Sequence, residues 1–323
     1  MDATALGGPL NGRNEGVGRR GRGAVCVVLV AALAAAAGRA AAQNIEPRSY
    51  SNAPVGANFA IVGYGYADGG VAADPSLPLT NADVKVHSAF LAYARSLDIF
   101  GRSGKFDVLL PYAWLKGTAE FAGQPIERDV SGFGDPKFRF TVNFHGAPAL
   151  SLKEFASYRQ DLIVGASLQV SAPWGQYDSS KLVNIGTNRW SAKPELGVSK
   201  AWGSWIAELA AGVTFYSDNK DFFGGKTRSQ DPIYSVQAHV IYNLPSGIWL
   251  AADGTYYTGG RTTVDGVTGD DLQKNSRWGM TVALPVDRRN SVKFSGSTGV
   301  STRTGGDFNA FGVAWQYRWG GGL

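Results

Sequence analysis

Cysteine is almost absent from this chain. The one cysteine, Cys26, lies in a stretch expected to be removed, so the rest carries no disulfide and no thiol chemistry. Histidine is nearly as scarce: His87, His145 and His239 stand far apart, without metal-ligand spacing. There is no His-Glu-x-x-His, no P-loop and no Gly-x-Ser-x-Gly elbow. Together these absences speak against an enzyme, and no cofactor or metal is implied. Beyond residue 42 no run of ~18 apolar residues occurs, which excludes a membrane-spanning helix. Of the two ways to cross a bilayer, only a closed β-barrel remains open. Excess charge is lacking too. Five arginines and only two acids precede Gln43, so the formal +5 falls to about +2 beyond it, too little to suggest a nucleic-acid partner.

The N-terminus reads as a secretory signal. Arg13, Arg19, Arg20 and Arg22 precede an apolar run from Ala24 to Ala37, and Ala40-Ala41-Ala42 offers a small-x-small cleavage site. We therefore expect residues 1–42 to be a signal peptide, 43–57 a periplasmic lead and 58–323 the folded body.

That body is a series of period-two segments. Phe138, Phe140, Val142 and Phe144 alternate with Lys137, Arg139, Thr141, Asn143 and His145. Phe106, Val108, Leu110, Tyr112 and Trp114 share one face, as do Val84, Val86, Phe90 and Ala92. Asn309, Phe311, Val313, Trp315, Tyr317 and Trp319 alternate with small, then polar residues. Alternation of this kind is β-structure with unlike faces. About twelve segments of roughly ten residues emerge, the length of a tilted membrane crossing.

The connections alternate as well. Long polar stretches near 67–83, 117–134, 173–189, 217–231 and 258–275 alternate with tight turns near 101–104, 202–204, 245–247 and 287–290. Residues 146–160 depart from this, being long on the short side, with a brief helix expected at 150–158. Long loops on one rim and short turns on the other are the outer-membrane pattern. The expected fold is all-β: a closed antiparallel transmembrane β-barrel of about twelve strands, within a range of roughly ten to fourteen. The strand Phe308–Trp319 would pair with Asn58–Tyr66 and leave no edge. A secreted β-sandwich, with shorter strands and no rim asymmetry, is the alternative.

Several motifs carry a resemblance. They are Gly132-Phe133-Gly134-Asp135, Pro173-Trp174-Gly175-Gln176-Tyr177, Asn184-Ile185-Gly186-Thr187-Asn188-Arg189-Trp190 and Lys193-Pro194-Glu195. Phe222-Phe223-Gly224-Gly225, Tyr256-Tyr257-Thr258-Gly259-Gly260-Arg261 and Trp315-Gln316-Tyr317-Arg318-Trp319 complete the set. In their order and spread they resemble the bacterial outer-membrane transporter family named for the meta-pathway of phenol degradation. The resemblance implies a Gram-negative outer-membrane, porin-like barrel and a role in moving small, often aromatic or apolar compounds.

On this reading the charged and polar faces line the lumen. The candidate lumen-lining residues are Lys137, Arg139, Asp161, Gln169, Lys193, Glu195, Glu208, Gln237, His239, Asp253, Arg277, Lys293, Gln316 and Arg318. They form either a bracing network of ion pairs or a selectivity field. Arg277, Lys293 and Arg318, on the last three strands, suggest a basic ladder. Phe222 and Phe223 are a candidate mouth loop. Expected partners are outer-membrane lipid and lipopolysaccharide, the barrel-assembly machinery and a small-molecule permeant. Passive or facilitated uptake of apolar or aromatic compounds leads. A structural or adhesive barrel with a closed lumen is the alternative, and an outer-membrane lipase using His239 is third.

Overall fold

The structure is a computed structural model, and residues 45–72, 79–121 and 123–322 are described below. The expected signal peptide lies outside them. The strands in chain order are β1 (Ala57–Ala72), β2 (Leu79–Ile99), β3 (Arg102–Phe121), β4 (Gln124–Phe133) and β5 (Lys137–His145). After a one-turn helix α1 (Leu152–Phe155) come β6 (Leu162–Ser171), β7 (Ser191–Trp202) and β8 (Trp205–Tyr216). Two small strands, β9 (Asn219–Phe222) and β10 (Lys226–Gln230), precede β11 (Ile233–Asn243) and β12 (Trp249–Gly259). Two more, β13 (Thr262–Val264) and β14 (Val267–Thr268), precede β15 (Gln273–Pro285), β16 (Asn290–Thr302) and β17 (Gly305–Gly320).

Twelve strands close into an antiparallel barrel. Each pairs with its neighbour in the order β1, β2, β3, β5, β6, β7, β8, β11, β12, β15, β16, β17. Closure is made by β1 and β17, from Ala57 opposite Gly320 to Ala72 opposite Gly305. The backbone of the wall is thus paired in a continuous ring of ladders, as a bilayer interior demands. Outward residues are apolar and exposed, among them Val62, Leu91, Leu110, Phe140, Leu168, Leu196, Leu209, Val240, Met280 and Phe311. Such a belt is stable only against lipid. Near the rim that carries both ends of the barrel, the rings of Trp315, Tyr317 and Trp319 stack in sequence, 6.3 and 5.7 Å apart. Trp202 and Trp205 lie at the same rim, beside the tight β7–β8 turn, where amphipathic rings meet headgroups. That rim, with its short turns, is periplasmic, and the other is extracellular.

The extracellular side departs from the sequence expectation. The stretches expected as long loops after the first and third strands are largely strand. β2 and β3 run for 21 and 20 residues, and β4 continues the ladder on β3 above the point where β5 leaves it. The polar alternation of these extensions imitates loop composition, and only pairing identifies them. The loops near 217–231 and 258–275 fold into a separate sheet in the order β14-β13-β10-β9. On the periplasmic side, α1 is shorter than expected and is held by a capping box between Ser151 and Glu154.

Candidate functional site: the lumen and its two closures

The stretch expected as a periplasmic lead lies instead inside the barrel, running from Ile45 in the lumen down to Gly56 at the periplasmic rim. Tyr50 is its anchor, only 2% exposed. Its ring lies on Gly165 of β6 and Gly197 of β7; a Cβ at Gly197 would sit 2.0 Å from the ring. These glycines are therefore the seat of the segment. The Tyr50 hydroxyl donates to Glu195 at 3.1 Å. The Arg48 amide donates to Glu208 at 2.7 Å, while its guanidinium donates to Asn243 and lies 4.8 Å over the Trp249 ring. Glu46 accepts from Arg139. Lys105 and Asn143 donate to the carbonyls of Ser49 and Tyr50, at 2.9 and 3.0 Å. Backbone inside a lumen is tolerated where such partners satisfy it.

The candidate lumen residues fall into four groups. Arg139 bridges Glu46 and Asp107, Lys193 pairs with Glu195 at 2.6 Å, and with Gln169 and Gln237 they border a polar void beside the plug. Glu208 accepts from Ser199 at 2.9 Å as well as from the plug. His239 Nδ1 lies 2.7 Å from Asp253, which also accepts from Thr281 at 2.9 Å. Lys137, Lys293 and Gln316 face inward without an ion pair among the described residues. The remainder stand elsewhere. Asp161 is 78% exposed on the periplasmic rim, paired with Lys200. Arg318 turns to the periplasmic turn, donating to the Arg288 carbonyl at 2.6 Å. Arg277 is enclosed, donating to Ser297 and the Phe308 carbonyl at 3.0 and 2.8 Å. The three cations therefore form no ladder. They share a parity but lie at different depths in different surroundings.

The plug does not fill the lumen evenly. Its polar contacts go to strands from β2 round to β11. Inward residues of β11, β12 and β15, such as Ser235, Gln237, Thr255 and Arg277, are buried. Those of β16, β17 and β1 are less covered and mostly small: Ser295, Ser297, Ala310, Gly312 and Gly65, with Lys293 exposed. Next to them stand Ile61, Phe90, Leu109 and Pro111 of β1 to β3. The Phe90 ring lies flat on Gly63, where a Cβ would sit 2.1 Å away. This apolar inner wall was missed by pattern reading. The signal was present, because β2 is apolar on both faces, with Leu91 and Tyr93 outward and Phe90 and Ala92 inward. A strand facing lipid on one side and water on the other would not read so.

The extracellular closure is built by the loop between β6 and β7. Asp135, between β4 and β5, accepts from the Gly175 amide at 3.0 Å and from the Thr187 amide and hydroxyl at 2.8 and 2.6 Å. Gly175 and Gly186 pack backbone to backbone. Asn184 ties Asp178 and Lys181 into the same knot. The loop's Val183 then packs on Val71, Val84 and Leu115 and its Leu182 on Phe222, so the mouth is apolar. Phe222, from the candidate mouth loop, is 3% exposed, with Phe223, Ile126 and Val264 around it and the Arg228 guanidinium over its ring. Burial there pushes the Arg228 pKa down, opposed by Asp271. Replacing Asp135 by Ala leaves the Gly175 and Thr187 amides without their acceptor, at about 1–3 kcal/mol for each buried one. We expect external protease to cut residues 173–189 in that variant while the barrel stays intact; loop resistance equal to the wild type would refute the role given to Asp135.

Residues 65–317 match the family described as MetA-pathway of phenol degradation. The chain belongs to this family. Among solved structures it is similar to an outer membrane channel from Pseudomonas putida F1, with a TM-score of 0.73 and 20% identity over 85% of this chain and all of that one. The transport unit of the autotransporter AIDA-I from Escherichia coli gives a TM-score of 0.54 and 8% identity, over 91% of this chain and 97% of that one. No curated protein sequence matches it. The chain is an outer-membrane β-barrel, porin-like in fold, embedded in lipid by its apolar belt. Three of the motifs that carried the resemblance, at residues 132–135, 173–177 and 184–190, meet in the Asp135 knot and its loop.

Proposed function

We propose that the barrel passes small apolar or aromatic compounds across the outer membrane. The observation that carries this reading is the apolar wall of Ile61, Phe90, Leu109 and Pro111, which lies inside the barrel, beside the part the plug leaves least filled, and below an apolar mouth. A pore for water-soluble solutes has no use for it, since wetting apolar surface is unfavourable. The ion pairs around Arg139 and Lys193 belong to the seat of the plug and brace the barrel. A general pore is disfavoured because twelve strands enclose a narrow lumen and a peptide segment already occupies part of it. The barrel-assembly machinery is the expected partner during insertion.

The test alters the wall and leaves the fold. Phe90→Asn and Leu109→Asn keep residues of tolerable size inside the lumen. Cells carrying the double variant are expected to take up aromatic compounds distinctly more slowly than wild type, at equal amounts of heat-modifiable barrel. Equal uptake would reject the wall as the path. The lipase reading gains nothing from His239: its partner is an acid, as in a triad, but no described hydroxyl donates to the ring.

A further inference from the structure

The cations of the lumen differ in how they are compensated. Arg139, Lys193 and Arg48 each meet an acid or amide oxygen, and Lys105 meets a backbone carbonyl. Two lysines have no hydrogen bond or ion pair among the described residues. Lys137 opens β5, with Leu109 and Ser171 as its register partners on either side. Lys293 stands low on β16 between Ala283 and Ala314. The acids that act on them at longer range are committed elsewhere: Glu46 to Arg139, Asp135 to the Gly175–Thr187 knot and Asp253 to His239 and Thr281. Lys293 is exposed in the least-filled part of the lumen, and Lys137 adjoins the apolar wall through Leu109.

An uncompensated ammonium in a lumen of lowered dielectric is costly unless an anion or water meets it. Lysine presents a point charge on a long apolar stem, so it can hold an anionic head while its own methylenes lie on the wall. Lys137 is toward the extracellular end and Lys293 toward the periplasmic end, with the apolar wall nearby. A neutral apolar permeant would leave both charges unused. The geometry points to a permeant that is an organic anion with an apolar body, such as an aromatic carboxylate, its head meeting Lys137 and then Lys293. This rests on the transport reading above and narrows its substrate class.

Binding separates the two readings. The protein, in lipid nanodiscs, is titrated with 4-phenylbutyrate and with the neutral amide of the same acid, and empty nanodiscs give the lipid background. The wild type is expected to bind the carboxylate about tenfold or more tightly than the amide, the effect of one charge-assisted contact. Lys137→Gln with Lys293→Gln should reduce the difference to about twofold or less, and the two Lys→Arg changes should retain most of it. Equal binding of both compounds by the wild type would overturn the anion assignment and leave the apolar path standing. Retention of the preference by the heat-modifiable Gln variant would overturn the role of these lysines. Binding of neither compound would remove the transport reading for this class and the inference with it.

Discussion

Replacing Gly197 with Leu unseats the plug and raises ion conductance in planar bilayers. Tyr50 rests on that glycine, and no larger side chain fits between the β7 backbone and the ring. Burying an aromatic side chain is worth roughly 1.5–3 kcal/mol. Losing that contact shifts the seated-to-displaced ratio by about tenfold to a hundredfold. Deleting residues 45–54 should raise the conductance further, since every bond from the segment to Glu195, Glu208 and Arg139 goes with it. The barrel itself closes through β1 and β17 and does not depend on the plug. Conductance of the Gly197→Leu variant equal to wild type, with the deletion also silent, would mean that the segment does not obstruct the lumen.

The second large effect is on assembly. Val313 points outward on β17, between Tyr64 of β1 and Phe294 of β16, and Ala314 beside it points inward and is buried. An arginine on the lipid face near the midplane costs about 2–4 kcal/mol. Val313→Arg sits on a closing strand, so the cost falls on the last step of barrel formation. Much less folded, heat-modifiable protein is expected in the membrane for Val313→Arg, and near wild-type amounts for Ala314→Ser. Equal assembly of the two would invert the facing of β17.

How far the sequence reaches can be judged from particular residues. The facing of β5 and β17 was legible, because Phe138–Phe144 and Phe311–Trp319 alternate strictly against polar or small partners. The strand number and the joining of the last strand to the first followed from turn spacing. What escaped has a common cause. Residues 45–56 carry no periodicity, since a plug is held by single contacts to a wall far away in sequence. Glu46 and Arg139 are 93 residues apart, and Arg48 and Glu208 are 160 apart. The inner apolar wall was hidden because period two sorts residues into faces without saying which face meets water. The Asp135 knot was visible as a motif, but its geometry was not, as it joins a strand break to a loop 40 residues on. Asp161 and Arg318 show the reverse error: parity gave them an inward face, but at a strand end a long side chain reaches the rim.

Uptake by whole cells tests the central claim most directly. Cells with and without this protein are offered a panel of radiolabelled aromatic and aliphatic compounds, including carboxylates and their neutral amides, and initial rates are measured. The account predicts slower entry without the protein for apolar-bodied compounds, most of all for the aromatic carboxylates, and no change for small sugars. Identical rates for every compound in the two strains would contradict it.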